Sequence, residues 1–315
     1  MVAVILEWIN SSGVLGQLYS GDYITPALVY VLIFTYFSYP YMVLAFQRYD
    51  FRNNNLWKIM ANGHWVGLQN FQFFFQSQDA FRVTFNTIYL NLLFIITGTV
   101  MAVIISLFLN ELKNKWFVKI TQTFMIFPNF ISWVVVSYIL FAFLSTQYGI
   151  LNNLFVALGG KAVNFYTNAS YWPMILVLIR IWKGTGMSAI IFLATIVGID
   201  TSLYEAASID GANRFQIMFK ITLPLMMPTI IILTLLSLGR IMFGDFGMIY
   251  ALVGDNGTLY QTTDVIDTYI FRALRQIGDP SQAMAIGLFQ SVIGFVLVFG
   301  SNWLTRKLYP DGALY

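Results

Sequence analysis

Four charged residues stand inside otherwise apolar runs of the chain. Arg180 and Lys183 lie three apart in WPMILVLIRIWKGTGMSAIIFLATIV, and Arg240 and Asp245 bracket GRIMFGDFG. The spacing of the first two puts them on one helix face. A charge in such surroundings is costly unless it is paired or faces a cavity. Asp245 can therefore neutralise Arg180, Lys183 or Arg240 and fix helix packing. Three bases against one acid nevertheless leave a positive surplus, and a pathway carrying it attracts anions. Trp182 and Tyr250 lie in or near the same runs, and Asn86 and Tyr89 in another apolar run.

A second unit of interest is SLYEAASIDGANRFQIMFKITLP, residues 202–224, the most polar stretch between two apolar runs. Ser202 and Glu205 have capping-box spacing and predict a helix opening at 203. Tyr204, Ala207, Ser208 and Gly211 recur at three- and four-residue spacing and give a narrow face of mostly small groups. Gly211 permits a sharp change of direction. Asn213 then caps a second short helix, with Phe215, Met218 and Phe219 as its apolar face. Thr222 can cap again, with Pro224 in the first turn beyond. This much capping suits a rigid projection received by a partner; an amphipathic connector lying on the membrane is the plainer alternative.

The elements that must position these residues follow from composition. Of 315 residues, 58% are hydrophobic and 10% charged, and the mean hydropathy is +0.71. So few charges cannot cover the surface of a soluble domain of this size. Six stretches are long enough to cross a bilayer: 26–46, 84–109, 121–144, 171–197, 225–250 and 283–303. None alternates with period two, so the expected fold is an all-α integral membrane bundle of six transmembrane helices. Glycines 184 and 186 are expected to loosen the fourth. Residues 1–23 lack the basic start of a cleaved signal and read as a cytoplasmic or interfacial segment; 24–305 form the membrane domain and 306–315 a short tail. Seven Lys or Arg fall on each side of such a bundle, so the positive-inside count does not orient it, though KNKWFVK favours a cytoplasmic 110–120 loop.

Several chemistries are excluded. There is no cysteine and one histidine, His64, so neither a thiol nucleophile nor a Cys or His metal set is available. The net charge of +3 is too small and scattered for nucleic acid. The only Gly-Lys pair, GGKAV at 159–163, lacks the first glycine and the Ser/Thr of a phosphate-binding loop. No cofactor site and no catalytic residue are expected, and the chain reads as non-enzymatic.

Glu205-Ala206-Ala207, then Asp210-Gly211-Ala212, then Ile221-Thr222-Leu223-Pro224 resemble the EAA loop of binding-protein-dependent ABC import permeases. GLQNFQFF at 67–74, FNT at 85–87, IWKGTG at 181–186 and LYEAASIDGA at 203–212 resemble the sugar-permease branch, nearest to importers of oligosaccharides or polysaccharide fragments. The resemblance implies a type I importer bundle in a bacterial or archaeal cytoplasmic membrane, with both termini cytoplasmic. It implies a second related permease, two ATPase subunits that use ATP and Mg2+, and an extracytoplasmic solute-binding protein. It makes Glu205, Ala206, Ala207, Asp210 and Gly211 the contact with the ATPase, and places the fourth and fifth spans around the translocation cavity, where Trp182, Tyr250, Asn86 and Tyr89 become further candidates to hold a sugar by stacking and hydrogen bonds. The positive surplus then favours an anionic, uronate-containing glycan, against a neutral oligosaccharide. Asp255, Asp264, Asp267, Arg272, Arg275 and Asp279 offer a mixed-charge surface for the binding protein. A self-sufficient ion- or proton-coupled secondary transporter using Asp245 and the basic cluster is the alternative.

Overall fold

The computed structural model describes residues 24–36, 38–50 and 55–308; the expectations for 1–23 and 309–315 lie outside them. Helix α1 (Ile24–Val31) continues through a π turn, Leu32–Tyr36, into a 3-10 segment, Tyr39–Phe46, with Pro40 in its first turn. Together they supply the first apolar span. Two short helices, α2 (Leu56–Asn62) and α3 (Gln69–Gln76), lead into α4 (Gln78–Glu111). Helix α4 has 34 residues and opens where the Ser77 hydroxyl accepts the Ala80 N–H at 3.2 Å. At 1.5 Å per residue it is roughly 50 Å long, well beyond the ~30 Å hydrocarbon layer. It starts earlier than the expected 84 because Ser77 caps it there.

The third span is not straight. Helix α5 (Lys115–Ile126) ends in a 3-10 turn, Phe127–Phe130, and α6 (Trp133–Leu144) leaves at 99°. Pro128 stands at the start of that turn, and Ser132 caps α6 by accepting from the Val135 N–H. After α7 (Ile150–Ala157), α8 (Trp172–Val197) packs along α4. Then follow α9 (Thr201–Ile209), α10 (Arg214–Ile217) and, beyond a π turn at Met218–Thr222, α11 (Leu223–Leu238). The fifth span therefore runs from Arg214 to Leu238 and stops twelve residues short of its expected end at 250. A turn at 239–245 intervenes, and Asp245 restarts the chain as α12 (Phe246–Val253) by accepting the Met248 N–H. Small helices α13 (Tyr260–Thr263) and α14 (Ile266–Arg272) precede α15 (Pro280–Leu308), the last span. Among the described residues, five helices are long and apolar enough to cross a membrane, or six with the bent pair taken as one.

Two close fits hold this frame. Helix α8 runs unbroken through Gly184 and Gly186, so the expected loosening does not occur. A Cβ on Gly186 would stand 2.0 Å from the Met125 carbonyl oxygen, whereas one on Gly184 meets nothing within 4 Å. Glycine at 186 thus lets α8 touch the backbone of the bent span. On the other side, the buried Asp264 carboxylate accepts from Arg82 at 3.1 Å, from Arg272 at 2.6 Å and from the Thr268 hydroxyl at 2.9 Å. Its side chain is wholly covered, and Arg272 lies over the Tyr260 ring at 4.2 Å. Asp264 and Arg272 therefore belong to the packing rather than to an exposed mixed-charge surface. Asp279 serves as a cap, accepting from Ser281 and Gln282. Asp255 and Arg275 remain exposed.

The first expectation is that Gly186→Ala lowers the apparent melting temperature of the detergent-solubilised protein by several degrees, while Gly184→Ala does not. The second is that Asp264→Ala, which strands Arg272 and leaves Arg82 with Asp79 alone, costs about 3–5 kcal/mol. Fluorescence-detected size exclusion after a heating series reads both.

Candidate functional site

The chain encloses an open cavity of about 700 Å³ between α4, the bend of the third span, α8 and the turn after α11. Its wall contains Arg180, Lys183, Arg240 and Asp245, so the four charges singled out in the sequence meet in one place. Arg180 donates through Nη1 to Asp245 Oδ2, and its guanidinium stands 6.0 Å from the Phe94 ring centroid. Lys183 is buried, and its ammonium donates to the backbone oxygens of Asn129 at 2.7 Å and Pro128 at 3.2 Å. It also lies 5.0 Å over the Trp133 ring. These carbonyls belong to the 3-10 turn at the bend, where the backbone runs out of helical partners. Arg240 is exposed on the wall and makes no ion pair among the described residues.

The turn that carries Arg240 is held from behind. Asn91 Nδ2 donates to the carbonyls of Ile241 at 2.8 Å and Phe243 at 3.2 Å, and Gln290 Nε2 donates to Met242. Gln290 also donates to Asp267 Oδ2 at 3.1 Å, which accepts the Gly244 N–H at 2.6 Å. Apolar sequence otherwise surrounds Asn91 and Gln290, and a polar residue in such a run is a signal that sequence reading could have used. Asn129 and Trp133 were equally missed, because nothing in the sequence says that a bend brings them under Lys183.

The four weaker candidates lie elsewhere. Asn86 is buried and donates to the backbone oxygens of Gln261 and Asp264, both at 3.1 Å, so it fastens the loop before α14. Tyr89 stacks on Phe85 at 5.8 Å and lines a separate recess of about 290 Å³. Tyr250 stacks on Phe246 at 5.1 Å, and its hydroxyl accepts from Arg275 at 3.3 Å. Trp182 is half exposed and stands off the cavity wall.

The polar unit between α8 and α11 folds as a projecting helix, turn and helix. Asp200 rather than Ser202 caps α9, accepting the Ser202 N–H at 2.9 Å, so the expected Ser202–Glu205 box does not form. That backbone donor also holds the Asp200 carboxyl below its ordinary pKa. Gly211 has φ +79°, the left-handed conformation that a turn here requires. The Ala212 N–H returns to the Ala207 carbonyl at 2.9 Å and closes the α9 end. Asn213 and Gln216 form a reciprocal capping box on α10. Thr222 does not cap; its hydroxyl sits 3.3 Å from the Tyr204 hydroxyl inside a continuous helical path. Glu205, Ala206, Asp210 and Gly211 are exposed, Ala207 is half-buried, and Ile209 and Phe215 present bare apolar side chains. Met218, expected on the same apolar face as Phe215 and Phe219, turns inward instead. Arg214 reaches Glu111 at 3.5 Å and ties the projection to the end of α4.

The chain is similar to known proteins. The family model described as "Binding-protein-dependent transport system inner membrane component" matches residues 95–310. Protein LplB of Bacillus subtilis (strain 168) is 35% identical over 287 residues, which span 91% of this chain and 88% of that one. The polygalacturonan/rhamnogalacturonan transport system permease protein YteP of the same organism is 34% identical over 289 residues, 92% of this chain and 88% of that protein. A crystal structure of a bacterial ABC transporter involved in the import of the acidic polysaccharide alginate contains a chain that superposes with a TM-score of 0.83. That chain is 32% identical, with 97% of this chain and 99% of that one covered. With this family match, a superposable bundle and this degree of identity over most of the chain, the chain belongs to the family of binding-protein-dependent transport system inner membrane components and is a transport permease, not an enzyme.

Proposed function

We propose that this permease forms half of the translocation pathway of an ATP-driven importer for uronate-containing oligosaccharides or polysaccharide fragments. The observation that carries the reading is the cavity wall, with three cations against one carboxylate. Even with Asp267 counted behind it, one positive charge lacks a counterpart, and a low-dielectric wall concentrates that field on whatever enters. A neutral sugar gains nothing from this surplus, whereas each carboxylate of a uronate does. Relatives named for polygalacturonan and for acidic alginate agree with that chemistry.

The remaining parts follow from the type of machine. A second related permease completes the cavity, and two ATPase subunits that hydrolyse ATP with the help of Mg2+ dock beneath. A solute-binding protein delivers cargo from above. The 202–224 loop, the 110–120 loop and both termini face the cytoplasm; 24–305 is the permease domain and 306–315 a short tail. Glu205, Ala206, Ala207, Asp210 and Gly211 form the face received by the ATPase, with Ile209 and Phe215 as the apolar groups that docking would cover. The loop joins α8 to α11, the two helices that reach the cavity's cations, so its displacement moves both walls.

Two experiments test this. Gly211→Pro, which cannot adopt φ +79°, and Glu205→Lys should each lower transport at least tenfold at unchanged membrane level, with loss of co-purifying ATPase; undiminished uptake in both removes the docking assignment. In liposomes holding the complete importer, a galacturonate oligomer should stimulate ATP hydrolysis more than its carboxyl-reduced, uncharged counterpart. Equal stimulation assigns the cavity to neutral sugars.

A further inference from the structure

The cavity's three cations are not equivalent, and the difference identifies one of them as the reader of cargo charge. A cation already satisfied by the protein must give up its partners before it can hold a ligand carboxylate, and that exchange cancels much of the gain. Arg180 has such a partner, Asp245, which also caps α12, so drawing Arg180 away disturbs a helix start. Lys183 is committed to the Pro128 and Asn129 carbonyls and to the Trp133 face; it fastens the bend of the third span and is buried. Arg240 is bound to nothing among the described residues, is exposed on the wall, and sits on a turn whose next three carbonyls are clamped by Asn91 and Gln290.

A fixed backbone beneath an uncommitted guanidinium favours bidentate carboxylate binding, because only the side chain, and not the turn that carries it, loses freedom on binding. Resting on the anionic-cargo reading above, we infer that Arg240 is the specificity-determining residue of the cavity: it receives a cargo carboxylate, while Arg180–Asp245 and Lys183 hold the wall that presents it. Neutral sugars are then discriminated against at one position rather than by a diffuse field.

The test measures binding to the complex purified through this chain, in nanodiscs without the solute-binding protein, so that selection upstream does not contribute. The probes are a galacturonate trimer and its carboxyl-reduced counterpart, and the readout is the ratio of their dissociation constants. Wild type should favour the charged trimer about tenfold or more, the size of a charge-assisted contact. Arg240→Gln should bring the ratio near one, and Arg240→Lys should keep part of it. The double variant Arg240→Gln/Ser188→Lys restores the net charge of the wall at another lining position and should leave the ratio near one. Should Arg240→Gln fail to assemble, Arg240→Lys must still lower the ratio. A preference that persists in Arg240→Gln, returns in the double variant, or is undiminished in Arg240→Lys overturns the assignment to Arg240 but leaves the anionic cargo intact. Wild type without any preference overturns both.

Discussion

The ion pair between Arg180 and Asp245 is the interaction on which the cavity depends. It joins the middle of α8 to the start of α12, two points 65 residues apart. Both side chains are partly covered, so parting them would leave a partly desolvated charge on each element, and the pair constrains where both elements lie. Asp245 meets a second demand with its other oxygen, capping α12 through Met248. One carboxylate thus closes a charge account and ends a break in the fifth span.

That break has its own requirement. A chain interrupted within a bilayer exposes backbone groups that only protein can satisfy. Asn91, Gln290 and Asp267 take up the carbonyls of 241–243 and the N–H of Gly244. The bend of the third span is handled differently, with an ammonium, Lys183, for two carbonyls. Both irregular segments face the same cavity. Irregular backbone next to a polar space is the arrangement expected of a pathway, since the groups that hold it would be too costly against lipid.

Consecutive helices join the projecting loop to the cavity. Helix α8 leaves the cavity and passes through the Asp200 cap into α9; Gly211 reverses the chain, and α10 and α11 return it to Arg240. Stiff elements run almost the whole circuit, with the left-handed glycine at its tip. The Arg214–Glu111 pair braces the tip against α4, another wall of the cavity.

The amino-acid sequence by itself determined the membrane bundle, the helix–glycine–helix loop and the set of charges in the spans. Each of these is local or additive: hydropathy sums along a run, a glycine sits where a turn needs it, and Asn213 caps the helix that follows it. The fifth span, expected to run to 250, ends at Leu238, and hydropathy along the run did not reveal that stop. Tertiary structure alone decided which base meets Asp245, that carbonyls occupy Lys183, and that Asn86 fastens a loop instead of facing the cavity. It likewise decided that Asp264 is covered and that the third span turns through 99°. These outcomes depend on distances between residues far apart in the chain. Pairing energies fall off within a few ångströms, so a partner is settled only when packing brings it into contact.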